Sequence, residues 1–554
     1  MTERLSGEYD PKIFHSLLQV LERAVSEYGD NPAYTCFSTT LSYRDVDRHS
    51  NNFAGYLMRE TSLQPGDRIA IQLPNLLQFP IAVFGALKAG LVVVNANPLY
   101  TAREMRYQFV DAGVKAIVIL ANFCDKLEEI LPSTGIEQVL ITQLGDLQPP
   151  FKRLILNLGI KYLKRMVPAY NLPTGVDFNA ALKLGSRASE AVPVVPGQSR
   201  DTAVILYTGG TTGYAKGVML SHDNLLANMM QFRIRSTEIM SDGVEHVAAP
   251  LPLYHSYAFL LHCIVMPFAG NHNHLIPNPR DLKSVIEVFE KNTITGFVGI
   301  NTLYLALLQH SGIHAIDFSS LKFCGAGGMP LSTRVMEDWQ DLTGCPIFEG
   351  YGLTECSPVV SVNSPSHNKP GTVGIPMADT EVKVVNEEGQ ELASGEVGEL
   401  WIKGPQVMRG YWGRDEETRQ VLSEDGWFRS GDYTQVDQEG YITIVDRKKD
   451  MILVSGFNVI PGEIEDYVNS HEAVLESAAI GIPDEHSGEA VVLYVVLRKG
   501  RQLDAKALKE YCRQGLTPYK LPRHIHFRED LPKSNIGKIL RRELRDNHTA
   551  TGKG

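Results

Sequence analysis

The sequence has no paired cysteine spacing, no surplus of positive charge, no long uninterrupted apolar run and no low-complexity tract. Each absence removes a class of protein. Seven cysteines (Cys36, Cys124, Cys263, Cys324, Cys345, Cys356 and Cys512) are dispersed along the chain. An odd, scattered set excludes a disulfide scaffold, predicts a reducing compartment and gives no zinc site. A net charge of −11 argues against nucleic acid as the main partner, whose electrostatic footprint is basic. "MTERLSGEYD" carries acidic residues early and lacks an apolar core, so it does not read as a secretory signal. The most apolar stretch, "SYAFLLHCIVMPFAG", is interrupted by His262 and Pro267. It falls short of the roughly 20 apolar residues that a spanning helix needs, so it is expected in the core and the protein in the cytoplasm.

What remains is the composition of an ordinary globular chain, 43% hydrophobic and 21% charged over 554 residues. That length is enough for roughly three or four domain-sized units and a deep cleft. In the first half, helical patterns such as "IFHSLLQVLERAV" and "FPIAVFGALKAG" alternate with short apolar runs, "RIAIQL", "LVVVNA" and "AIVIL". This alternation predicts an α/β fold with mainly parallel strands. A second such pattern runs from "TAVILY" through "GFVGI" and "LKFCGAGGMP" to "PIFEGYGLTE". After Pro370 the chain turns β-rich ("EVKVV", "GELWIKG", "GYITIV"). It then breaks at the charged stretch "DRKKD", Asp446 to Asp450, a domain boundary. The tail beyond it has the length and pattern of a small α+β domain.

One segment between the early α/β parts, "FKRLILNLGIKYLKRMV" (151–167), is amphipathic and basic. Arg153, Lys161, Lys164 and Arg165 fall on one side of a helical wheel, with Ile155, Leu158, Tyr162, Leu163 and Met166 mostly opposite. Two readings stand: a helix covering the core with a solvated basic face, or an interfacial helix on anionic lipid.

Five short strings carry chemistry. In "YTGGTTGYAKG" (207–217), Gly209, Gly210 and Gly213 let backbone N–H groups approach an anion. Thr208, Thr211 and Thr212 add hydroxyls, and Lys216 adds charge. The string departs from the Walker pattern at Ala215 and Gly217. "YGLTE" offers Tyr351 to stack, Thr354 to donate and Glu355 to hold magnesium, which prefers oxygen ligands. "GWFRSGDY" puts Asp432 after a strand-like run, able to accept from ribose hydroxyls. "VDRKKDMILVSGFNVIPGEIE" and "LPKSNIGKILRREL" follow, the latter with Lys533 and Lys538 around a flexible turn. Singly, each also reads as an ordinary turn, cap or solvated charge.

In order and spacing, the five strings resemble the adenylate-forming superfamily of acyl- and aryl-CoA synthetases, firefly-type luciferases and peptide-synthetase adenylation domains. "LPLYHSYAF", "NPRDL", "TGFVGINTL" and "GYGLTECSPVVSVN" are similar to its branch of bacterial long-chain fatty-acid–CoA ligases. The resemblance covers nearly the whole chain. It implies stacked α/β sheet subdomains plus a β-rich one over residues 1–446, a hinge at 447–451 and a mobile α+β domain at 452–554. It implies ATP-dependent conversion of a long-chain, or medium-to-long-chain, fatty acid to an acyl-adenylate and then to acyl-CoA. An acyl-AMP ligase loading a carrier protein, or a CoA ligase for an aryl or medium-chain acid, is the alternative.

By the same resemblance, residues 208–216 embrace the β- and γ-phosphates, and Thr211 and Glu355 hold Mg²⁺. Thr354 donates to the α-phosphate. Tyr351, with Gly352 beside it, stacks on adenine, and the backbone of Gly325, Ala326 and Gly327 lines the base. Asp432 and Arg447 hold the ribose. Lys538 bridges the acyl carboxylate and α-phosphate, and His255 lies near that carboxylate. The C-terminal domain turns about Lys449, after which Ser455, Gly456 and Phe457 line a CoA tunnel. Tyr254, Tyr257 and Gly299 are the candidate acyl-chain lining. A homodimer and peripheral contact with the inner face of the membrane are further expectations.

Overall fold

A strand covered on both faces needs a continuous apolar run rather than alternation. "RIAIQ" and "VKAIVIL" meet that need and become strands Arg68–Gln72 and Val114–Leu120, in the interior of an eight-stranded sheet. The computed structural model describes residues 10, 13–187, 200–208, 215–447, 450–454, 457–484, 487–534 and 537–551. Within them, this sheet is parallel from Thr202–Thr208 across to Gly175–Asp177. At one edge, Lys216–Ser221 and Gly410–Tyr411 add two antiparallel strands. Thr208 stands opposite Lys216, so the strands on either side of the glycine-rich string form an antiparallel pair, and not the strand and helix of a Walker motif.

The second α/β pattern forms a nine-stranded sheet whose interior strands run parallel from Ile347–Gly352 to Pro32–Cys36. Strand Pro32–Cys36 crosses over from the N-terminal region to lie beside His272–Leu275, with Tyr34 opposite Asn273. Four antiparallel strands between Glu381 and Arg447 make the β-rich unit. The tail builds a sheet of its own from Ile452 onward, with its own core of Ile452, Ile464, Val468, Leu493, Val495 and Leu508.

Helix His222–Ser236 ties these parts together. Ser221 caps it, its hydroxyl accepting from Asn224 N. Its buried inner face carries amides. Asn224 donates to the carbonyls of Pro405 and Val407, each at 2.8 Å, and Asn228 exchanges two hydrogen bonds with Val359. Buried amides must be satisfied, so these pairings fix two chain segments that would otherwise drift. "SYAFLLHCIVMPFAG" lies in the core as expected, and Tyr34 Oη donates to His262 O at 2.8 Å. Among the described residues no helix is long and apolar enough to cross a membrane.

The 151–167 segment departs from the covering-helix reading. Pro150–Leu158 is α-helical and Gly159–Leu163 continues as a wider turn. No residue of the helix is buried, and Phe151, Leu154, Ile155, Leu158, Tyr162 and Leu163 are all exposed, Leu163 at 85%.

Candidate active site

Two of the strings lie at the carboxyl ends of strands Thr202–Thr208 and Ile347–Gly352, the usual location of a ligand crevice in α/β sheets. Strand Ile347–Gly352 delivers Tyr351 at its carboxyl end, followed by the short turn Thr354–Cys356. Tyr351 Oη donates to Asp432 Oδ2 at 2.6 Å, and Asp432 is 2% exposed. Tyr351 and Asp432, 81 residues apart in sequence, are thus neighbours. Strand Phe428–Val436 carries Asp432 opposite Arg447, whose backbone is in register. Gly352 has no room for a side chain, since a Cβ there would meet Pro358 O at 2.1 Å.

Thr354 and Glu355 sit beside this pair. The hydroxyls of Thr354 and Ser256 are 3.1 Å apart. Glu355 accepts from Tyr411 Oη at 3.0 Å, and its carbonyl accepts from Met408 N at 2.7 Å. Burial and the Glu355 charge push the Tyr411 hydroxyl well above the ordinary tyrosine value, so it stays a donor. Lys216 Nζ lies 4.9 Å from the Tyr411 ring centre and 2.5 Å from Glu417 Oε2. Lys216, Tyr411 and Glu355 therefore form a line from the end of the glycine-rich loop to the carboxylate. The far side of that line is braced by Arg414, which bonds Asp111, Tyr107 and Glu417, while Tyr107 Oη donates to Ala215 O at 2.9 Å.

The sequence reading missed Tyr411, Glu417 and Arg414. They share one string, "GYWGRDEETR", that carries no local phosphate signature. Thr208 is half-buried at the end of its strand, whereas Gly209, Gly210, Thr211, Thr212 and Gly213 lie outside the described residues. So do Lys449, Ser455, Gly456 and the side chains of Arg447 and Phe457.

The glycine strand Phe323–Gly327 runs alongside. Tyr257 leans over it, since a Cβ on Gly325 would meet Tyr257 Oη at 3.4 Å and one on Gly327 would meet Cε1 at 3.7 Å. The Ala326 side chain belongs to the core behind the sheet, which leaves its backbone for the cleft. Gly299 makes space for the buried ring of Tyr304, whose hydroxyl donates to Gly325 O at 2.9 Å. Tyr254 is half-buried, near Tyr100 and Arg280.

His255 and Lys538 face each other across this cleft. Burial, and then the Lys538 charge, push the His255 imidazole down to about 4, so it is neutral at neutral pH. Lys538 rides on a tight reversal in which Ser534 N donates to Lys538 O at 2.7 Å and Lys533 pairs with Ile539. Gly537, with φ +80°, packs its α-carbon against Ile300 and Thr302. Lys533 instead makes ion pairs with Glu476 at 2.6 Å and Asp530 at 3.2 Å. Nearby, helix Pro461–Asn469 faces the large domain. Gly462 N donates to Asp446, and Asp466 faces Glu349, whose carboxyl is pushed up to about 7 by burial and that charge.

The family model described as "AMP-binding enzyme" matches residues 21–412, and "AMP-binding enzyme C-terminal domain" matches 463–538. A long-chain-fatty-acid–CoA ligase of Salmonella typhimurium is 46% identical over 541 residues, covering 98% of this chain and 96% of the relative. The enzyme of that name from Bacillus subtilis is 37% identical, covering 96% and 95%. The crystal structure of ATP-bound MatB from Rhodopseudomonas palustris superposes with a TM-score of 0.82 at 27% identity, covering 97% of this chain and 100% of that one. With both family models matched in order, and relatives aligned almost end to end, the chain belongs to the AMP-binding enzyme family.

Proposed function

We propose that this protein activates long-chain fatty acids to acyl-CoA through an acyl-adenylate. One observation carries the reading. The Lys216–Tyr411–Glu355 line, the Tyr351–Asp432 pair and the Lys538 loop with His255 converge in a single cleft. The end-to-end match to long-chain-fatty-acid–CoA ligases supplies the substrate class.

A carboxylate is a poor electrophile toward a thiol. In the first step a carboxylate oxygen attacks the α-phosphorus of ATP, the bond from α-phosphorus to the bridging oxygen breaks, and pyrophosphate leaves. Negative charge concentrates there, so cations and donors fixed beforehand lower the barrier. By this reading Lys216 and the loop of Thr208–Gly213 grip the leaving pyrophosphate, and Thr354 donates to the α-phosphate. Tyr351 and the Gly325–Gly327 backbone hold adenine, and Asp432 with Arg447 holds the ribose. Lys538, a long flexible point charge, neutralises the carboxylate and α-phosphate as they meet. Neutral His255 beside it accepts or donates without adding charge. The Glu355 carboxylate and Thr211 hydroxyl form an all-oxygen donor set suited to Mg²⁺, which supplies charge neutralisation on the phosphates when bound.

In the second step the CoA thiolate attacks the acyl carbon and AMP leaves with the former carboxylate oxygen. Lys538 would then stand in the way of the thiol. We place a hinge at 447–451, about Lys449, between an N-terminal domain of 1–446 and a C-terminal domain of 452–554. Turning about it brings Ser455, Gly456 and Phe457 to the pantetheine arm. Tyr254, Tyr257 and the segment after Gly299 border the acyl chain. Each buried CH₂ contributes about 0.8 kcal/mol. Discrimination per methylene is only about 1–3 kcal/mol, so a range of chain lengths is accepted.

The protein works in the cytoplasm and docks peripherally on an anionic bilayer through 151–167. That segment combines exposed Phe151, Leu154, Ile155 and Leu163 with Lys161, Lys164 and Arg165. The test of function is AMP release from ATP across a panel of acids, with CoA or a carrier protein as acceptor. Long-chain fatty acids with CoA are the expected best pair. An aryl acid or a carrier protein as the preferred partner would overturn the assignment.

A further inference from the structure

The strand that leads toward His255 carries another histidine at its opposite end. His246 opens strand His246–Ala249, and the neighbouring parallel strand His272–Leu275 brings His272 and His274. The register sets His246 opposite His272 and Ala248 opposite His274, so the three imidazoles share one face of the sheet. His246 and His272 open their strands, at the end away from the ligand crevice at the carboxyl ends.

Their nitrogens converge. His246 Nδ1 lies 3.2 Å from His272 Nδ1 and 3.4 Å from His274 Nε2, and the three residues offer ligand atoms all within 4.8 Å of one another. A tetrahedral ion with metal–nitrogen bonds of about 2.0–2.1 Å needs nitrogens about 3.3–3.4 Å apart, so two edges of such a site are already formed. The set is awkward without an ion. His246 Nδ1 faces two ring nitrogens with only one proton or one lone pair to offer.

The surroundings favour ligation. His272 and His274 are 8% and 3% exposed, while half-exposed His246 leaves a route to solvent. Thr35 Oγ1 lies 2.7 Å from His272 Nε2 and 2.6 Å from Thr40 Oγ1. When Thr35 donates to Thr40 it accepts from His272 Nε2–H, which turns the His272 Nδ1 lone pair into the cluster. Outer-shell bonds of this type orient metal-binding imidazoles.

We propose that His246, His272 and His274 bind one divalent transition-metal ion of the zinc class, outside the ligase centre, with water completing the coordination. Three imidazoles suit Zn²⁺, Co²⁺, Ni²⁺ or Cu²⁺ and not the hard cation of the nucleotide site. Bound there, the ion would clip together two strands of the nine-stranded sheet.

The test uses the untagged full-length chain, stripped with chelator, loaded with Zn²⁺ alone and passed through gel filtration before elemental analysis. We expect one zinc per chain, a tetrahedral visible spectrum on Co²⁺ loading, and a zinc-dependent rise in the thermal midpoint. All three are lost in the His272→Gln/His274→Gln double variant. Should that variant not fold, His246→Gln at the half-exposed edge takes its place. Replacing His524, His526 and His548, which form a separate ring cluster in the tail, leaves zinc retention unchanged. A wild-type chain that keeps no zinc would show a hydrogen-bonded histidine cluster only. Zinc that persists in the cluster variants would place it elsewhere. Either result overturns the proposal.

Discussion

Gly537 gives the sharpest way to separate the two proposed half-reactions. It sits next to Lys538, with φ at +80°, and a Cβ there would lie 2.5 Å from Thr302 Oγ1 and 2.7 Å from Ile300 Cδ1. Gly537→Ala acts twice. The left-handed backbone costs about 1–2 kcal/mol for a residue with a Cβ, wherever the small domain stands. The contact with Ile300 and Thr302 exists only when the Lys538 loop is seated in the cleft. Both opposing atoms are side-chain tips that can yield, so for alanine the contact costs about 1 kcal/mol, at the low end for overpacking. Valine cannot be accommodated as easily, and about 2–3 kcal/mol is expected. At 1.4 kcal/mol per factor of ten, adenylate formation slows about 5-fold in Gly537→Ala and about 30- to 150-fold in Gly537→Val. The assay is pyrophosphate release from ATP and fatty acid, run beside AMP release from supplied acyl-adenylate and CoA. The second rate should change less than the first. Equal loss in both half-reactions, or unimpaired adenylation in Gly537→Val, would refute the seated loop as the adenylating arrangement.

Four other expectations follow from named contacts. Lys538→Ala should slow adenylation by about 10²–10³-fold, the scale of one oriented electrostatic contact, and leave thioester formation from supplied adenylate intact; a normal pyrophosphate burst would sink it. Tyr411→Phe removes the 3.0 Å hydrogen bond to Glu355 and should raise the apparent Mg²⁺ requirement about 2- to 10-fold, read from magnesium titration of the rate. Burial, and then the Asp466 charge, raise Glu349 from its ordinary 4.5 to about 7 in the folded protein, so its contribution to stability is complete below about pH 4.5 and lost as pH rises through 7. Glu349→Gln should flatten that slope, on the order of 1–3 kcal/mol, in thermal midpoints taken against pH; parallel curves for variant and wild type would rule it out. Replacing Lys161, Lys164 and Arg165 with glutamine should weaken flotation with anionic liposomes about tenfold or more, at roughly 1 kcal/mol per basic residue, and unchanged flotation would remove the membrane reading.

Much of the fold was legible because it is written in local terms. Short β-branched apolar runs such as "VKAIVIL" suit buried strands, and the hydroxyl of Ser221 marks a helix start. The site strings were legible for a related reason: Gly352 and Gly537 meet backbone or side-chain demands that leave little choice of residue. What stayed hidden is non-local. Nothing in the spacing tells that Tyr411 meets Glu355 56 residues away, or that Lys216 finds Glu417. Strand Pro32–Cys36 pairs on its inner side with His272–Leu275, Tyr34 opposite Asn273, a long-range pairing decided by tertiary packing alone. Periodicity revealed an amphipathic 151–167 segment but not that its apolar residues would be left exposed. The histidine cluster escaped notice because His272 and His274 become a set with His246 only through strand register.

The central claim is that a carboxylate oxygen attacks the α-phosphorus of ATP. The most direct measurement supplies a long-chain fatty acid with both carboxyl oxygens replaced by ¹⁸O, together with ATP, Mg²⁺ and CoA, and weighs the products. The account predicts one labelled oxygen in AMP and one in the acyl-CoA carbonyl. Unlabelled AMP, or ADP and phosphate in place of AMP and pyrophosphate, would contradict it.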